Sequence, residues 1–241
     1  MNRPPAGPRG VAGPREAVET PTAAGLPLDY GIARDRMVAE HLRGRGIRDE
    51  RVLAAMARIP RHRFVEEAFA ARAYGDSPLP IGEAQSISQP YIVALMSEAL
   101  GLRGGERVLE VGTGSGYQTA VLAELAGKVY SVERVRSLAD RALRLLSDLG
   151  YYNIRVRVGD GSLGWPEEGP FDAILVTAAA PQIPEALAAQ LSPGGRLVVP
   201  VGGAGAQMLR RLTRAPEGPV LQNLAGCVFV MLIGAHGWPE E

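Results

Sequence analysis

The 241-residue sequence is poor in the residue types that build disulfides and metal centres. It contains a single cysteine, Cys227, so no disulfide can form within the chain. Its three histidines, His41, His62 and His236, lie far apart and lack the spacing of metal ligands. We therefore expect neither a disulfide framework nor a resident metal ion.

Long apolar stretches are also missing. No run reaches the roughly 18 residues that cross a bilayer, and Arg3 and Arg9 are not followed by the apolar segment of a secretory signal. Basic and acidic residues balance at 26 each, whereas a protein that binds nucleic acid through phosphates usually carries a basic excess. These features favour a cytoplasmic protein whose main partner is neither a membrane nor a nucleic acid.

Residues 1–28 differ in composition from the rest of the chain. They contain six prolines and no aromatic residue, so they cannot bury enough apolar surface to offset the entropy of ordering. We predict a disordered Pro/Gly-rich extension here. The whole chain is 46% hydrophobic, which is enough for the core of one sizeable domain.

Helical spacing of apolar residues is the main pattern between residues 29 and 104. It predicts helices over 32–42, over 52–59 with Asp49 as N-cap, over 64–71 and over 90–100. Residues 75–90 are polar and show no regular period, so they are predicted to form a long connection. Connections of this length are usually functional or disordered.

From residue 105 onwards, short apolar strands alternate with helices. Strands are predicted over 107–111, 129–132, 154–158, 171–176 and 196–201, with helices over 117–126, 135–149 and 183–191. Residues 208–212 and 227–233 are apolar-rich and are predicted to add C-terminal strands. The alternation indicates an α/β fold with a mostly parallel sheet and helices on both faces.

A glycine-rich turn follows the first of these strands. Gly112, Gly114 and Gly116 alternate with Thr113 and Ser115, and such a turn lets a ligand lie against bare backbone at the end of the strand. Residue 117 is tyrosine, where a dinucleotide-binding turn has its third glycine, and no Gly-Lys-Ser/Thr follows. The pattern therefore predicts a nucleoside-like ligand without a pyrophosphate.

Acidic residues are predicted to surround this ligand. Glu133 ends the second strand about 20 residues further on, where a carboxylate can accept protons from two ribose hydroxyls. Asp160 and Gly161 follow the third strand, where Asp160 can accept a hydrogen bond from an adenine amino group. Glu110, just before the turn, is predicted to meet a cationic amino group of the ligand.

At this point the sequence resembles the protein-L-isoaspartate (D-aspartate) O-methyltransferases, from about residue 33 to residue 235. The resemblance rests on short stretches at 58–61, 64–65, 79–82, 85–93, 112–119, 159–161 and 174–181. The stretch around Ser88 is the discriminating one, because methyltransferases in general do not carry it. Two positions depart from the family, which more often has threonine at Ser86 and proline at Met231.

The resemblance implies a Rossmann-like class I methyltransferase fold that binds S-adenosyl-L-methionine. It implies transfer of a methyl group to the free carboxylate of L-isoaspartyl and D-aspartyl residues in damaged proteins, which initiates their repair. Ser88 is then the active-site residue beside that carboxylate, with Ser86, Ile87, Ala178 and Ala179 as substrate-binding positions. Residues 29–104 become an N-terminal helical segment with the substrate loop, and 105–241 the cofactor-binding domain.

The absence of a histidine or metal constellation fits this chemistry. A carboxylate with an ordinary pKa near ~4 is already ionised at neutral pH, so its methylation needs no general base. A methyltransferase acting on a small molecule or RNA would share every cofactor feature, and differences are expected only around 79–91 and 177–181. An NAD-linked oxidoreductase would need the missing third glycine. We expect a monomer.

Overall fold

A computed structural model describes residues 29–240, so the predicted extension at 1–28 lies outside the described residues. Within that range six α-helices follow one another: α1 Tyr30–Arg36, α2 Glu50–Arg58, α3 Pro90–Leu100, α4 Tyr117–Leu125, α5 Arg136–Asp148 and α6 Glu185–Ala189. Helix α1 continues without a break into a π-helix over Met37–Leu42. None of the helices in residues 29–240 is long and apolar enough to cross a membrane.

Nine strands accompany these helices in the described part of the chain: β1 Leu79–Gly82, β2 Gln85–Ile87, β3 Arg107–Val111, β4 Lys128–Glu133, β5 Ile154–Val158, β6 Phe171–Val176, β7 Leu191–Gly203, β8 Ala206–Ala215 and β9 Gly218–Cys227. Seven of them form one sheet in the order β5-β4-β3-β6-β7-β8-β9. The first five in that order are parallel, and β8 and β9 are antiparallel. Strand order therefore reverses between β3 and β6, which is where ligands bind in sheets of this kind.

The sheet is covered on both faces, as the alternation of elements predicts. One face buries Val108, Val129 and Leu175 against α3, α4 and α5 and against the N-terminal helices. The opposite face buries Leu109, Val132 and other residues against α6 and Trp165. Because both faces are buried, the central strands are almost continuously apolar, and the polar residues within them need a specific reason.

Helix positions were predicted well where a cap or a proline marks them. Asp49 caps α2 by accepting hydrogen bonds from the N–H groups of Arg51 and Val52. Pro90 begins α3, and Gly101 ends it in the left-handed conformation. The predicted third helix over 64–71 is instead two 3₁₀ turns, Arg61–Phe64 and Glu67–Arg72.

Two predictions about strands were wrong. The connection over 75–90 contains the antiparallel hairpin of β1 and β2, in which Leu79 pairs with Ile87 and Pro80 with Ser86. The last strand is Gly218–Cys227 and not 227–233, because it pairs with β8 across a tight turn. Residues beyond Cys227 leave the sheet, and Met231 forms only an isolated bridge to Ala179.

Candidate active site

A cavity of about 890 Å³, including its open mouth, lies at the carboxyl ends of the parallel strands. Its walls come from six parts of the chain: β2 with the start of α3, the turn after β3 with the start of α4, the end of β4 with the residues that follow it, and the segments after β5, β6 and β9. The lining residues are Gln85–Ser88, Val93, Val111–Ser115, Tyr117, Gln118, Val132–Val135, Gly161, Thr177, Ala178 and Val230–Ile233. The cavity therefore lies where the strand order reverses, the position at which ligands bind in sheets of this kind.

The glycine turn forms the floor of this cavity. Gly112, Gly114 and Gly116 all have positive φ, at 96°, 53° and 87°, which a residue with a Cβ rarely adopts. A Cβ on Gly112 would also lie 2.3 Å from Oγ1 of Thr177. That hydroxyl donates to the carbonyl oxygen of Gly112 at 2.7 Å, so β6 holds the turn from the side.

Glu133 holds the same turn from the end of β4. Its Oε2 accepts a hydrogen bond from the N–H of Gly114 at 2.9 Å, and its Oε1 accepts one from the N–H of Val135 at 2.9 Å. A carboxylate oxygen can accept more than one hydrogen bond. The Glu133 carboxylate, which lines the cavity, can therefore still accept donors from a ligand.

Glu110 is placed behind the cavity and does not line it. It is fully buried on the side of β3 that faces α4, and its Oε2 accepts hydrogen bonds from Ser131 and Thr119, both at 2.6 Å. Ser131 in turn contacts the hydroxyl of Thr113 at 2.6 Å. Burial raises the pKa of Glu110 to about 8. The geometry thus gives Glu110 a supporting position under the glycine turn and does not support the predicted contact with the ligand.

Asp160 is likewise turned away from the cavity, whereas Gly161 lines it. One carboxylate oxygen of Asp160 accepts from the N–H and hydroxyl of Ser162, and the other accepts from the N–H of Ala235. Asp160 therefore ties the end of β5 to the C-terminal segment. A Cβ on Gly161 would lie 2.4 Å from Val111, so only glycine fits between the two strand ends.

Ser86, Ile87 and Ser88 all line the same cavity as the glycine turn. Ile87 is buried and anchors the loop, whereas Ser86 is exposed and Ser88 is half-buried. Among residues 29–240, no acceptor takes a hydrogen bond from the Ser88 hydroxyl, and α3 is not capped by a side chain. Ser88 is thus not occupied as a helix cap, and its hydroxyl can serve a ligand.

The predicted positions after β6 divide between the cavity wall and the layer behind it. Ala178 lines the cavity. Ala179 is fully buried, and its backbone N–H and carbonyl bond to Val230 and Leu232. A direct substrate contact by Ala179 is therefore not supported, and its backbone instead holds the C-terminal wall in place.

Several cavity residues were missed in the sequence. Val93 and Gln118 lie on the inner sides of α3 and α4, and Arg134, Val135 and Ile233 complete the wall. Val93 and Gln118 fall within the stretches 85–93 and 112–119 that carry the resemblance. Nothing local shows that they face the cavity, because helix residues do so only once α3 and α4 have packed together. For Arg134 and Val135, adjacency to Glu133 was the one available signal.

The residues present fit a nucleoside-type methyl donor. A glycine floor admits a flat ligand against backbone, the Glu133 carboxylate is set to accept hydroxyl donors, and hydroxyl and apolar groups line the facing wall. Together with the strand order and the two helical layers, these features define a Rossmann-like S-adenosylmethionine-dependent methyltransferase.

The sequence comparison identifies the family. Residues 33–237 match the family described as protein-L-isoaspartate (D-aspartate) O-methyltransferase, and this chain belongs to it. A protein-L-isoaspartate O-methyltransferase of Geobacter metallireducens is 55% identical over 215 residues, which cover 89% of this chain and 100% of the relative. One of Syntrophus aciditrophicus is 61% identical over 208 residues, covering 85% of this chain and 95% of the relative.

Solved structures agree with this assignment. A protein-L-isoaspartate O-methyltransferase superposes with a TM-score of 0.77 at 31% identity, covering 85% of this chain and 67% of its own. A second, from Plasmodium falciparum in complex with S-adenosyl-L-homocysteine, has a TM-score of 0.72 at 28% identity and covers 83% of this chain and 98% of its own. The resemblance, the fold class and the S-adenosylmethionine cofactor predicted from the sequence are therefore confirmed.

The close approach at Gly112 predicts a loss of ligand binding in Gly112→Ala. The added methyl group would meet Thr177 in a backbone conformation that alanine disfavours. We expect affinity for S-adenosylhomocysteine, measured by isothermal titration calorimetry, to fall at least about 10-fold, as for a shift of about 1.4 kcal/mol. Gly105→Ala is the matched control, since a Cβ there has no neighbour within 4 Å. Equal affinity in both variants would contradict the proposed floor.

Burial of Glu110 predicts a pH-dependent contribution to stability. Its pKa is raised from 4.5 to about 8 on folding, so its favourable contribution is complete below pH 4.5 and is lost as pH rises towards 8. We therefore expect the free energy of unfolding of Glu110→Gln, relative to wild type, to improve between pH 5 and 9 in urea titrations. Glu217→Gln, at an exposed turn, should follow wild type throughout. Parallel curves for Glu110→Gln and wild type would show that Glu110 does not titrate in this range.

Proposed function

We propose that this chain transfers a methyl group from S-adenosyl-L-methionine to the free carboxylate of L-isoaspartyl and D-aspartyl residues in damaged proteins. The observation that carries the assignment to residues is that two groups of residues line one cavity. The glycine floor with Glu133 is one group, and Ser86, Ile87 and Ser88 are the other. Family membership supports the reaction. A monomer in the cytoplasm stays a prediction.

The cofactor side is built from Gly112, Thr113, Gly114 and Ser115, with Glu133 and Gly161 beside them. S-adenosylmethionine supplies a methyl group on a sulfonium centre. Glu133 would bind ribose hydroxyls, because both of its oxygens are already oriented by backbone N–H groups. The Ser115 hydroxyl accepts a hydrogen bond from the N–H of Tyr117 at 3.2 Å, and it still has its own proton to donate to a ligand.

The substrate side orients an anion without a charged partner of its own. Ser88 and Ser86 present hydroxyls, and Ala178 leaves room on the wall next to them. A substrate carboxylate is ionised at neutral pH and needs no proton removed. The residues therefore have to position its oxygen, since placing two reactants in line at contact distance can supply most of the rate enhancement.

The reaction itself predicts a difference between two peptides of identical composition. We expect methylation of an isoaspartyl peptide and none above background for its aspartyl isomer, measured by transfer of radiolabel from S-adenosylmethionine. Catalytically dead enzyme is not needed as a control, because the isomer has the same charge and side chains. Labelling of neither peptide by enzyme that binds S-adenosylhomocysteine would instead favour a small-molecule or RNA substrate.

The free hydroxyl of Ser88 predicts a specific loss in Ser88→Ala. One hydrogen bond to a charged group is worth about 1.5–3 kcal/mol, so kcat/KM for the isoaspartyl peptide should fall about 10- to 100-fold. Affinity for S-adenosylhomocysteine should stay within about twofold, a change of less than about 0.4 kcal/mol, because Ser88 is assigned to the substrate side of the cavity. Ser147→Ala, on the exposed side of α5, is the matched control. Full kcat/KM in Ser88→Ala would remove Ser88 from the active site.

A further inference from the structure

Arg61 is an arginine with no exposed surface, in the 3₁₀ turn between α2 and the hairpin. Its Nε donates to the carbonyl oxygen of Ala73 at 2.7 Å, and its Nη2 donates to the carbonyl oxygen of Ser88 at 2.8 Å. The guanidinium carbon lies 4.7 Å from the ring centre of Tyr117, which lines the cavity. One buried side chain thus contacts both walls of the active site.

The cation is not balanced by a nearby acid. Within residues 29–240, no carboxylate oxygen lies within 4.0 Å of its nitrogens, and its Nη1 has no hydrogen-bond partner. Asp76 attracts the Arg61 cation only from a longer distance. Its carboxylate forms an ion pair with Arg45 and accepts a hydrogen bond from Gln89. Burial lowers the pKa of Arg61 to about 10. A buried and unpaired charge destabilises a fold, so a packing role is a poor explanation for it.

We propose that Arg61 is a positioning residue for the methyl transfer, which holds the backbone of Ser88 so that the hydroxyl faces the substrate carboxylate. The inference rests on the proposed function of Ser88. It follows from the fixed geometry of the guanidinium fork, whose two donors bridge residue 73, ahead of the hairpin, and residue 88, directly after it. Ser88 itself contributes no side-chain bond that would fix its orientation.

Arg61→Met tests this role because methionine fills similar space without a charge. The variant removes the buried cation, but it also takes a donor from the carbonyls of Ala73 and Ser88, at about 1–3 kcal/mol for each one left unsatisfied. We therefore expect a folded variant with a lower melting temperature, and affinity for S-adenosylhomocysteine within about twofold of wild type. We expect kcat on an isoaspartyl peptide to fall about 10- to 100-fold, as for a small displacement of a reacting group.

A double-mutant cycle with Ser88→Ala separates positioning from general damage. If Arg61 acts through the Ser88 hydroxyl, Arg61→Met should lower kcat by less than about twofold once that hydroxyl is gone. Arg51→Met is the matched control, because Arg51 also donates to two backbone carbonyls, those of Leu102 and Leu125, away from the cavity. That variant should leave kcat unchanged and show additive behaviour with Ser88→Ala.

The inference would be overturned if Arg61→Met lowered kcat by the same factor in wild type and in Ser88→Ala, or if it left the kcat of wild type unchanged. If Arg61→Met does not fold, Arg61→Lys replaces it, since lysine keeps the charge but cannot bond both carbonyls in the fork geometry. If neither variant folds, Arg61 is required for folding, and this result would also overturn the proposal. Wild-type enzyme without isoaspartyl methylation would instead overturn the proposed function, which the first assay detects separately.

Discussion

The hydrogen bond from the N–H of Gly114 to Glu133 is the contact on which the cofactor side of the site depends. It joins the turn after β3 to the end of β4, so two neighbouring strand ends are held at one distance. Without it, a turn with three positive-φ glycines would have little to select one conformation, because glycine loses more backbone entropy on ordering than any other residue. Glu133 also lines the cavity, and we propose that the group that orders the floor meets the ligand as well.

Buried polar groups lie behind both walls of the cavity. Glu110 supports the glycine turn through Ser131 and Thr113, and Arg61 reaches the Ser88 loop through a backbone carbonyl. Each keeps one buried polar atom without a hydrogen-bond partner, Oε1 of Glu110 and Nη1 of Arg61, and burying such an atom costs free energy. Their positions directly behind cavity residues indicate that they order the site. The hydrophobic cores on the two faces of the sheet offset the cost in stability.

The order of elements was readable from the sequence because the central strands are buried on both faces and are almost continuously apolar. Asp49, Pro90 and Gly101 marked helix ends by local chemistry that does not depend on the rest of the fold. Long-range contacts were not readable. The pairing of β1 with β2 occurs in a polar stretch without alternation, and the end of β9 depends on its register against β8. Likewise, the sequence placed Glu110 and Asp160 near the ligand, but which way each side chain turns is decided by distant partners, such as Thr119 on α4 and Ala235 in the C-terminal segment.

Discrimination between isomers explains why such ordering matters here. An isoaspartyl residue and an aspartyl residue carry the same charge, and they differ in where the free carboxylate sits relative to the backbone. A shift of one methylene is worth only about 1–3 kcal/mol in a pocket that binds by contact alone. Recognition of the isomer must then come from the place at which the carboxylate is held. In our proposal that place is the hydroxyl of Ser88, whose backbone carbonyl accepts a hydrogen bond from the rigid guanidinium of Arg61, whereas a flexible lysine or a mobile loop would accept either carboxylate.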